Sequence, residues 1–198
     1  HNLGIYENAI KCYDKALENS PNDMSALNNK GNSLTSLGKY EEAVTLYNKA
    51  LGINPGDGDI HNNISVPLRN LRKYDESLRA SNTSIEIKPD NTLAWSNKGH
   101  VLTLLERYEE AITSFDKALE IDSDNADAWS GKGLVFSYLK KNKESITLFD
   151  KAIQIDPNSM YAWRRRGDAL RSLGRYEEAI TSFDKTLEID PDEVWTWN

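Results

Sequence analysis

Apolar residues recur at spacings of three and four along nearly the whole chain, which is the period of an amphipathic α-helix. In residues 92–125, Trp95 and Leu102 belong to one such stretch, and Ile112 and Phe115 belong to the next. Each stretch is about a dozen residues long, the length of an ordinary helix of a small domain. The pattern therefore predicts two short helices in this segment.

The same pair of stretches returns every 34 residues. The motifs WSNKG, WSGKG and WRRRG end at Gly99, Gly133 and Gly167. The motif YEEAITSFDKALEID begins at Tyr108 and comes back as YEEAITSFDKTLEID at Tyr176. A fixed period of this length is typical of repeat arrays, in which each unit buries its apolar face against its neighbours.

Turn and cap residues mark the ends of the predicted helices. Paired glutamates such as Glu109 and Glu110 open a second helix, where negative charge favours the positive end of the helix dipole. Prolines follow most second helices because proline cannot continue a helix. The turn within each pair falls at one equivalent position: Gly38, Arg72, Glu106, Lys140 and Gly174.

Tryptophan, glycine, alanine, aromatic and proline residues at these offsets resemble the tetratricopeptide repeat. The resemblance covers almost the whole chain and implies an all-α fold, a right-handed superhelical solenoid of antiparallel helix pairs whose first helices line a concave groove. One departure is a lysine or arginine where the family has leucine before the glycine, and we expect its stem to pack while its charge reaches water. The resemblance divides the chain into a single array of a partial repeat, five full repeats and the start of another: 1–23, 24–57, 58–91, 92–125, 126–159, 160–193 and 194–198.

The repeat at 58–91 departs most from this pattern. His61 replaces the tryptophan, Ser65 the glycine and Ser81 the aromatic residue, while Pro67 falls inside the predicted first helix. A proline there removes a hydrogen bond and costs about 3 kcal/mol, so we expect a kinked or broken helix. Two interpretations stay open: tolerated drift in one repeat, or a hinge that widens the groove.

Composition limits the classes of function. The 31 acidic residues outnumber the 24 basic ones and give a net charge of −7, which argues against nucleic-acid binding. No apolar run approaches the roughly 20 residues that cross a bilayer, so we expect no membrane contact. Cys12 is the only cysteine, which excludes an internal disulfide and favours a cytoplasmic location.

Candidate catalytic groups are few and scattered. The three histidines, one of them at His61, lie in different repeats, and the glycines belong to the repeat pattern rather than to a phosphate-binding loop. The acidic cluster Asp122, Asp124 and Asp127 lacks the spacing of a calcium loop and suits turn and cap positions. We therefore expect no catalytic residue, no metal, no cofactor and no enzymatic activity in this chain.

The resemblance also implies which side chains face the groove, from their places within each repeat. In the first three repeats, they are Asn28, Asn29, Asn32, Asn62, Asn63, Ser96, Asn97 and His100. In the last two repeats, they are Ser130, Tyr138, Tyr161, Arg164, Arg165, Asp168 and Arg171. Of the arginine run in WRRRG, the first two thus face the groove, whereas Arg166 takes a structural place.

Asn29, Asn63 and Asn97 form a column at one place of three successive repeats. A carboxamide both donates and accepts hydrogen bonds, so such a column suits the main chain of an extended peptide. It is similar to the asparagine ladder of O-GlcNAc transferase superhelices, and the alternative is that these asparagines are simply solvated. The carboxylate clamp of chaperone-binding members is matched by Arg165 alone, so a chaperone tail is not the expected ligand.

These observations predict a non-catalytic interaction scaffold that binds a peptide or partner protein, including one with acidic groups, in its groove. A first alternative is a regulatory or targeting segment of a larger multidomain protein, such as an enzyme. A second is end-to-end self-association, because Trp195 and Trp197 begin a repeat and residues 1–23 lack a first helix.

Overall fold

The computed structural model describes residues 3–190, and in this range the chain folds into α-helices joined by short turns, without a strand. The all-α prediction is confirmed. The helices of this range are α1 (Leu3–Asn19), α2 (Met24–Ser36), α3 (Tyr40–Ile53), α4 (Gly58–Asn70), α5 (Tyr74–Ile87), α6 (Thr92–Leu104), α7 (Tyr108–Ile121), α8 (Ala126–Tyr138), α9 (Asn142–Ile155), α10 (Met160–Ser172) and α11 (Tyr176–Ile189). After α1, first helices of 13 residues alternate with second helices of 14 residues, in step with the sequence period.

The helices gather into two compact units, which we call the N-terminal unit (His1–Leu105) and the C-terminal unit (Glu106–Asn198). The N-terminal unit holds α1 to α6, and its core includes Leu27, Tyr47 and Ile60. The C-terminal unit holds α7 to α11 and buries Leu170 against its neighbours. In both units, each helix packs on the next one in sequence, which is how short helices bury their apolar faces.

Every first helix begins at a capping side chain that accepts a hydrogen bond from the backbone N–H three residues further on, at 2.9 to 3.4 Å. Such a cap satisfies a donor that the helix leaves unpaired and contributes about 1 kcal/mol. The caps keep the 34-residue spacing: Asp23, Asp57, Asn91, Asn125 and Ser159.

The turn inside each helix pair is left-handed at its central residue. Gly38 and Gly174 have φ of 74° and 73°, and Arg72, Glu106 and Lys140 adopt 61°, 58° and 60°. The residue after each turn donates its N–H back to the first helix, as Lys39 does to Leu34 at 2.9 Å. The predicted turn position is therefore correct, and three repeats make the turn without the glycine that it favours.

Close packing within a pair depends on a glycine and an aromatic ring 16 residues later. A Cβ added at Gly133 would lie 2.9 Å from the ring of Phe149, and one at Gly167 would lie 2.5 Å from the ring of Phe183. Both distances are shorter than real side-chain contacts, so the rings occupy the space that a larger residue would need.

The helix of the divergent repeat is intact. α4 runs from Gly58 to Asn70 without interruption and has the same 13 residues as the other first helices, so the break expected at Pro67 does not occur. The Pro67 side chain is buried, and the N–H of Leu71 still donates to its carbonyl at 2.9 Å. Burial of the ring and the remaining backbone hydrogen bonds hold the helix through a position that lacks one donor.

The core of this repeat is unusually polar. Ser65, Ser77, Ser81 and Ser84 are each no more than 1% exposed. The Ser77 hydroxyl donates to the backbone oxygen of Ser65 at 2.7 Å, whereas the Ser81 hydroxyl has no hydrogen-bond partner among the described residues. A buried hydroxyl without a partner destabilises a protein by about 1 to 3 kcal/mol.

Candidate functional site

The regular spacing of the indole rings serves the scaffold. The Nε1 atoms of Trp95, Trp129 and Trp163 each donate to the backbone oxygen six residues earlier, at 2.9 Å. The Nε2 atom of His61 lies 2.9 Å from the Pro55 oxygen, so the histidine reproduces the tryptophan contact. These rings tie a first helix to the turn before it, and they are not free to act as ligands for a partner.

The basic residue before each glycine also belongs to the scaffold. Three ion pairs link it to the preceding second helix: Lys30–Asp14, Lys132–Asp116 and Arg166–Asp150, at 2.5, 2.5 and 2.6 Å. These basic side chains are only 18 to 20% exposed, so the expectation that their charges reach water is wrong. Arg166 donates to Ser182 as well, at 2.7 Å, which accounts for the third arginine of WRRRG.

Four asparagines in the N-terminal unit join into a hydrogen-bonded line that we call the asparagine chain (Asn28, Asn62, Asn63 and Asn97). Asn97 donates to Asn62 at 2.9 Å, Asn62 to Asn63 at 3.3 Å and Asn63 to Asn28 at 3.0 Å. The chain therefore crosses α6, α4 and α2 and alternates between two places of the repeat, which the sequence did not indicate.

The other predicted residues of the N-terminal unit are dispersed. Asn29 is exposed and His100 is half-buried. The Asn32 carboxamide accepts the hydroxyl proton of Tyr47 at 2.6 Å, so its oxygen supports the core. Ser96 is buried at 1% exposure and lies beneath the surface that the resemblance implies for it.

The C-terminal unit brings the remaining predicted residues together, except for Ser130, which is buried at 4% exposure. The guanidinium carbons of Arg164 and Arg165 lie 6.0 and 5.4 Å from the ring centre of Tyr161, within range of a cation–π contact. We call the surrounding group the tyrosine–arginine patch, which consists of Tyr138, Tyr161, Arg164, Arg165, Asp168 and Arg171.

One carboxylate organises the charges of this patch. Asp168 lies 3.7 Å from Arg165 and 3.1 Å from Arg171. Because Arg164 adds a third cation, the patch has three guanidinium groups and a single carboxylate. It is therefore a local positive region on a chain whose net charge is −7.

The two tyrosines of the patch differ in exposure. Tyr161 is half-buried, and burial raises the pKa of its phenol, with the Arg165 cation opposing that change. Tyr138 is 49% exposed and stacks on Tyr108 with ring centres 5.9 Å apart. An exposed ring held in place by a neighbouring ring is a rigid surface for contact with a partner.

A cavity of about 320 Å³ opens beside the patch, between α8 and α10. Tyr138, Arg165 and Asp168 line it, and they were predicted from the repeat register. Lys140 and Asn142 also line it and were missed, because they lie in the turn and at the start of a second helix rather than on a first helix. The remaining wall consists of Leu134, Ser137, Ala169 and Ser172.

Residues 3–190 contain no group of three or more metal-binding side chains arranged to hold an ion. The Asp122 carboxylate accepts from the N–H of Asp124 and Asn125 caps α8, so part of the acidic cluster is used in the turn. Among the helices that the structure describes, none is long and apolar enough to span a bilayer. Trp195 and Trp197, on which the self-association hypothesis depends, lie outside the described residues.

Family models match most of the chain. A tetratricopeptide repeat model matches residues 25–57, 126–159 and 161–193, and a second one matches residues 1–23. A TPR repeat model matches residues 99–139. The comparison with curated proteins gave no match.

Solved structures share the fold at low sequence identity. A thermophilic TPR protein of Thermus thermophilus is 20% identical, with a TM-score of 0.81 over 86% of this chain and 93% of that one. YrrB, described as a TPR protein with an unusual peptide-binding site, is 22% identical, with a TM-score of 0.59 over 91% and 93% of the two chains. MamA is 20% identical, with a TM-score of 0.65 over 82% and 95% of the two chains.

Proposed function

This chain belongs to the tetratricopeptide repeat family, and we propose that it is a non-catalytic interaction scaffold whose C-terminal unit binds an acidic peptide or partner protein. The tyrosine–arginine patch is the observation that supports the proposal. Two guanidinium groups lie beside a half-buried tyrosine, and a third pairs with the aspartate next to them, on a chain that is otherwise acidic. Arginine and tyrosine side chains together are the residues that dominate the energy of many protein interfaces.

The chemistry of the patch fits acidic side chains better than a nucleic acid. Guanidinium groups bind carboxylates in a planar, two-point manner. Nucleic-acid grooves alternate basic and stacking residues over a long track, and this patch is confined to α8 and α10. A short segment with one or more aspartates or glutamates is therefore the proposed ligand.

The asparagine chain is proposed to assist binding in the N-terminal unit. Each of its donors uses one N–H of the carboxamide on a neighbour, which leaves a second N–H for another acceptor. A peptide main chain could use those groups without regard to its side chains. The mutual hydrogen bonds also hold the carboxamides in fixed orientations, which lowers the entropy cost of binding.

Selection from a random peptide display library tests the acidic-ligand proposal. We expect the wild-type chain to enrich peptides rich in aspartate and glutamate, and binding of the selected peptides to weaken as salt rises. The double variant Arg164→Glu/Arg165→Glu should lose these peptides, because two attractive charges become repulsive.

The variant Lys117→Glu/Lys185→Glu is the matched control. It makes the same change in net charge on α7 and α11, where both lysines form exposed pairs within one helix. It should retain the selected peptides. Equal loss of binding in both double variants, or enrichment without acidic residues, would contradict the proposal.

A second candidate function, association between copies of the chain, is favoured by the outer face of α11. Tyr176 and Ile180 are 62% and 58% exposed, whereas Ile146, at the place of Ile180 one repeat earlier, is 6% exposed. Light scattering at several protein concentrations tests this candidate. A mass that stays at the monomer value throughout would exclude it.

We also propose a cytoplasmic location. The single cysteine, Cys12, is free and exposed, a state that a reducing compartment maintains. Fractionation of cells that express the protein checks this point, and recovery with secreted proteins would contradict it.

A further inference from the structure

We propose that the cavity between α8 and α10 is a binding pocket for one carboxylate that is joined to an apolar group. This inference rests on the proposed function and names the part of the ligand that the scaffold recognises. The pocket has a volume of about 320 Å³, at the small end of the range for ligand sites, so it accommodates a single residue of a peptide.

Two cations from different elements line the pocket. Arg165 comes from the middle of α10, and Lys140 comes from the left-handed turn after α8. The carboxylate of Asp168, which also lines the pocket, is already engaged by Arg165 and Arg171. The positive charges therefore exceed the negative ones, and the pocket attracts an anion.

Arg165 has a donor that the fold leaves unused. Its Nε atom is buried and makes no hydrogen bond to any described residue. A buried donor without an acceptor costs free energy that a suitable ligand restores. A carboxylate can approach this edge of the guanidinium group and accept two parallel hydrogen bonds, which a neutral group cannot match.

The rest of the wall selects what is attached to the carboxylate. Leu134 and Ala169 give the pocket an apolar side, and the ring of Tyr138 is fixed by its stack on Tyr108. Apolar surface of this kind favours an aliphatic or aromatic group next to the charge. Peptides offer this combination in two ways, as a C-terminal carboxylate beside an apolar side chain or as the side chain of glutamate.

NMR titration of the full chain with small probes tests the pocket. N-acetyl-leucine carries a terminal carboxylate, N-acetyl-leucinamide is its neutral counterpart, and N-acetyl-glutamic acid α-amide carries only a side-chain carboxylate. We expect the acids to shift backbone signals of residues 134–142 and 165–172. The N-acetyl-leucine acid should bind about tenfold more tightly than its amide. The tighter of the two acids identifies the source of the carboxylate.

Variants of the two cations complete the test. Arg165→Gln and Lys140→Gln should each weaken binding of the acid several-fold and leave the amide unaffected. Arg175→Gln and Lys151→Gln remove the same charges at positions that do not line the pocket, and they should keep wild-type affinity. Melting curves of all four variants establish that each one is folded.

Equal binding of the acid and the amide, signal shifts away from the pocket, or an undiminished affinity in Arg165→Gln would overturn the inference. Failure of the wider proposal looks different. If the peptide selection succeeds and the small probes do not bind, the scaffold function stands and only the pocket is wrong. If the probes bind and no acidic peptide is enriched, the reverse holds.

Discussion

At the scale of single residues, Tyr47 shows how one side chain connects packing and protonation. It is 1% exposed, its ring occupies the space over Gly31, and its hydroxyl donates to Asn32 at 2.6 Å. Burial raises the pKa of the phenol from 10.0 to about 12, with the Thr35 hydroxyl opposing the change. The folded chain therefore holds this proton more tightly than the unfolded chain.

The stability of the fold should consequently fall at alkaline pH. The contribution of Tyr47 is fully present below pH 10 and is lost as the pH rises towards 12, because the unfolded chain ionises first. By pH 11 the loss is about 1.4 kcal/mol. Urea denaturation of wild type and Tyr47→Phe from pH 8 to 11 measures it, since phenylalanine cannot ionise. Identical pH dependence in the two proteins would show that this phenol is not responsible.

A second residue-scale prediction concerns Ser65 and Ser81, which occupy the places of the glycine and the aromatic ring in other repeats. Ser81→Phe alone should destabilise by about 1 to 3 kcal/mol, because the ring meets the Ser65 side chain in a filled core. Adding Ser65→Gly should restore the space, as Gly133 does for Phe149. The double variant should exceed the sum of the single variants by at least about 1 kcal/mol.

Denaturation midpoints of the wild type, both single variants and the double variant give this coupling energy. Additive effects would mean that the two positions do not face each other as Gly133 and Phe149 do. The result also bears on the unpartnered Ser81 hydroxyl, because the phenylalanine removes it.

At the scale of the element, the left-handed turn carries strain in three repeats. An L-residue other than glycine in this conformation costs about 1 to 2 kcal/mol. Glu106, with φ of 58°, is exposed and lies outside the candidate site. Glycine at this position is therefore expected to relieve strain without loss of a core contact.

We predict that Glu106→Gly stabilises the chain by about 1 kcal/mol and that Glu106→Ala does not. The alanine variant is the matched control, since it removes the same side chain and keeps the strained conformation. Gly174→Ala, at the equivalent turn, should destabilise by a similar amount. Thermal unfolding checks all three, and equal gains from glycine and alanine would assign the effect to the Glu106 side chain.

Most elements could be predicted from the sequence, because the apolar period and the 34-residue repeat fix where each helix begins and ends. The fate of Pro67 could not, since its cost is local while the packing that compensates for it comes from other helices. The partners of Lys132 and Arg166 were missed for a related reason. A repeat pattern gives the face on which a residue lies, but it does not give the side chain that it meets in the neighbouring repeat.

At the scale of the whole molecule, the divergent repeat at 58–91 remains the place where a hinge is to be sought. Its buried serines replace apolar groups, and a polar core contributes less to stability than an apolar one. Hydrogen exchange is expected to show weaker protection in residues 58–91 than in residues 126–159. Equal protection in the two repeats would exclude the hinge and favour tolerated drift.

The candidate site was only partly predictable. The register identified Tyr138, Arg165 and Asp168, which line one cavity, but not Lys140, whose position depends on the turn geometry. It also identified the asparagines without their mutual hydrogen bonds. Those bonds depend on how far neighbouring first helices are offset, which a set of repeat positions does not specify.

The indole contacts have a practical consequence for experiments on this protein. Trp95, Trp129 and Trp163 each report on a different junction, because each Nε1–H bonds to the turn that precedes its own repeat. Loss of that bond exposes the indole to water and changes its fluorescence. Variants that keep one of the three tryptophans and replace the others with phenylalanine would therefore carry an intrinsic optical probe at a chosen junction.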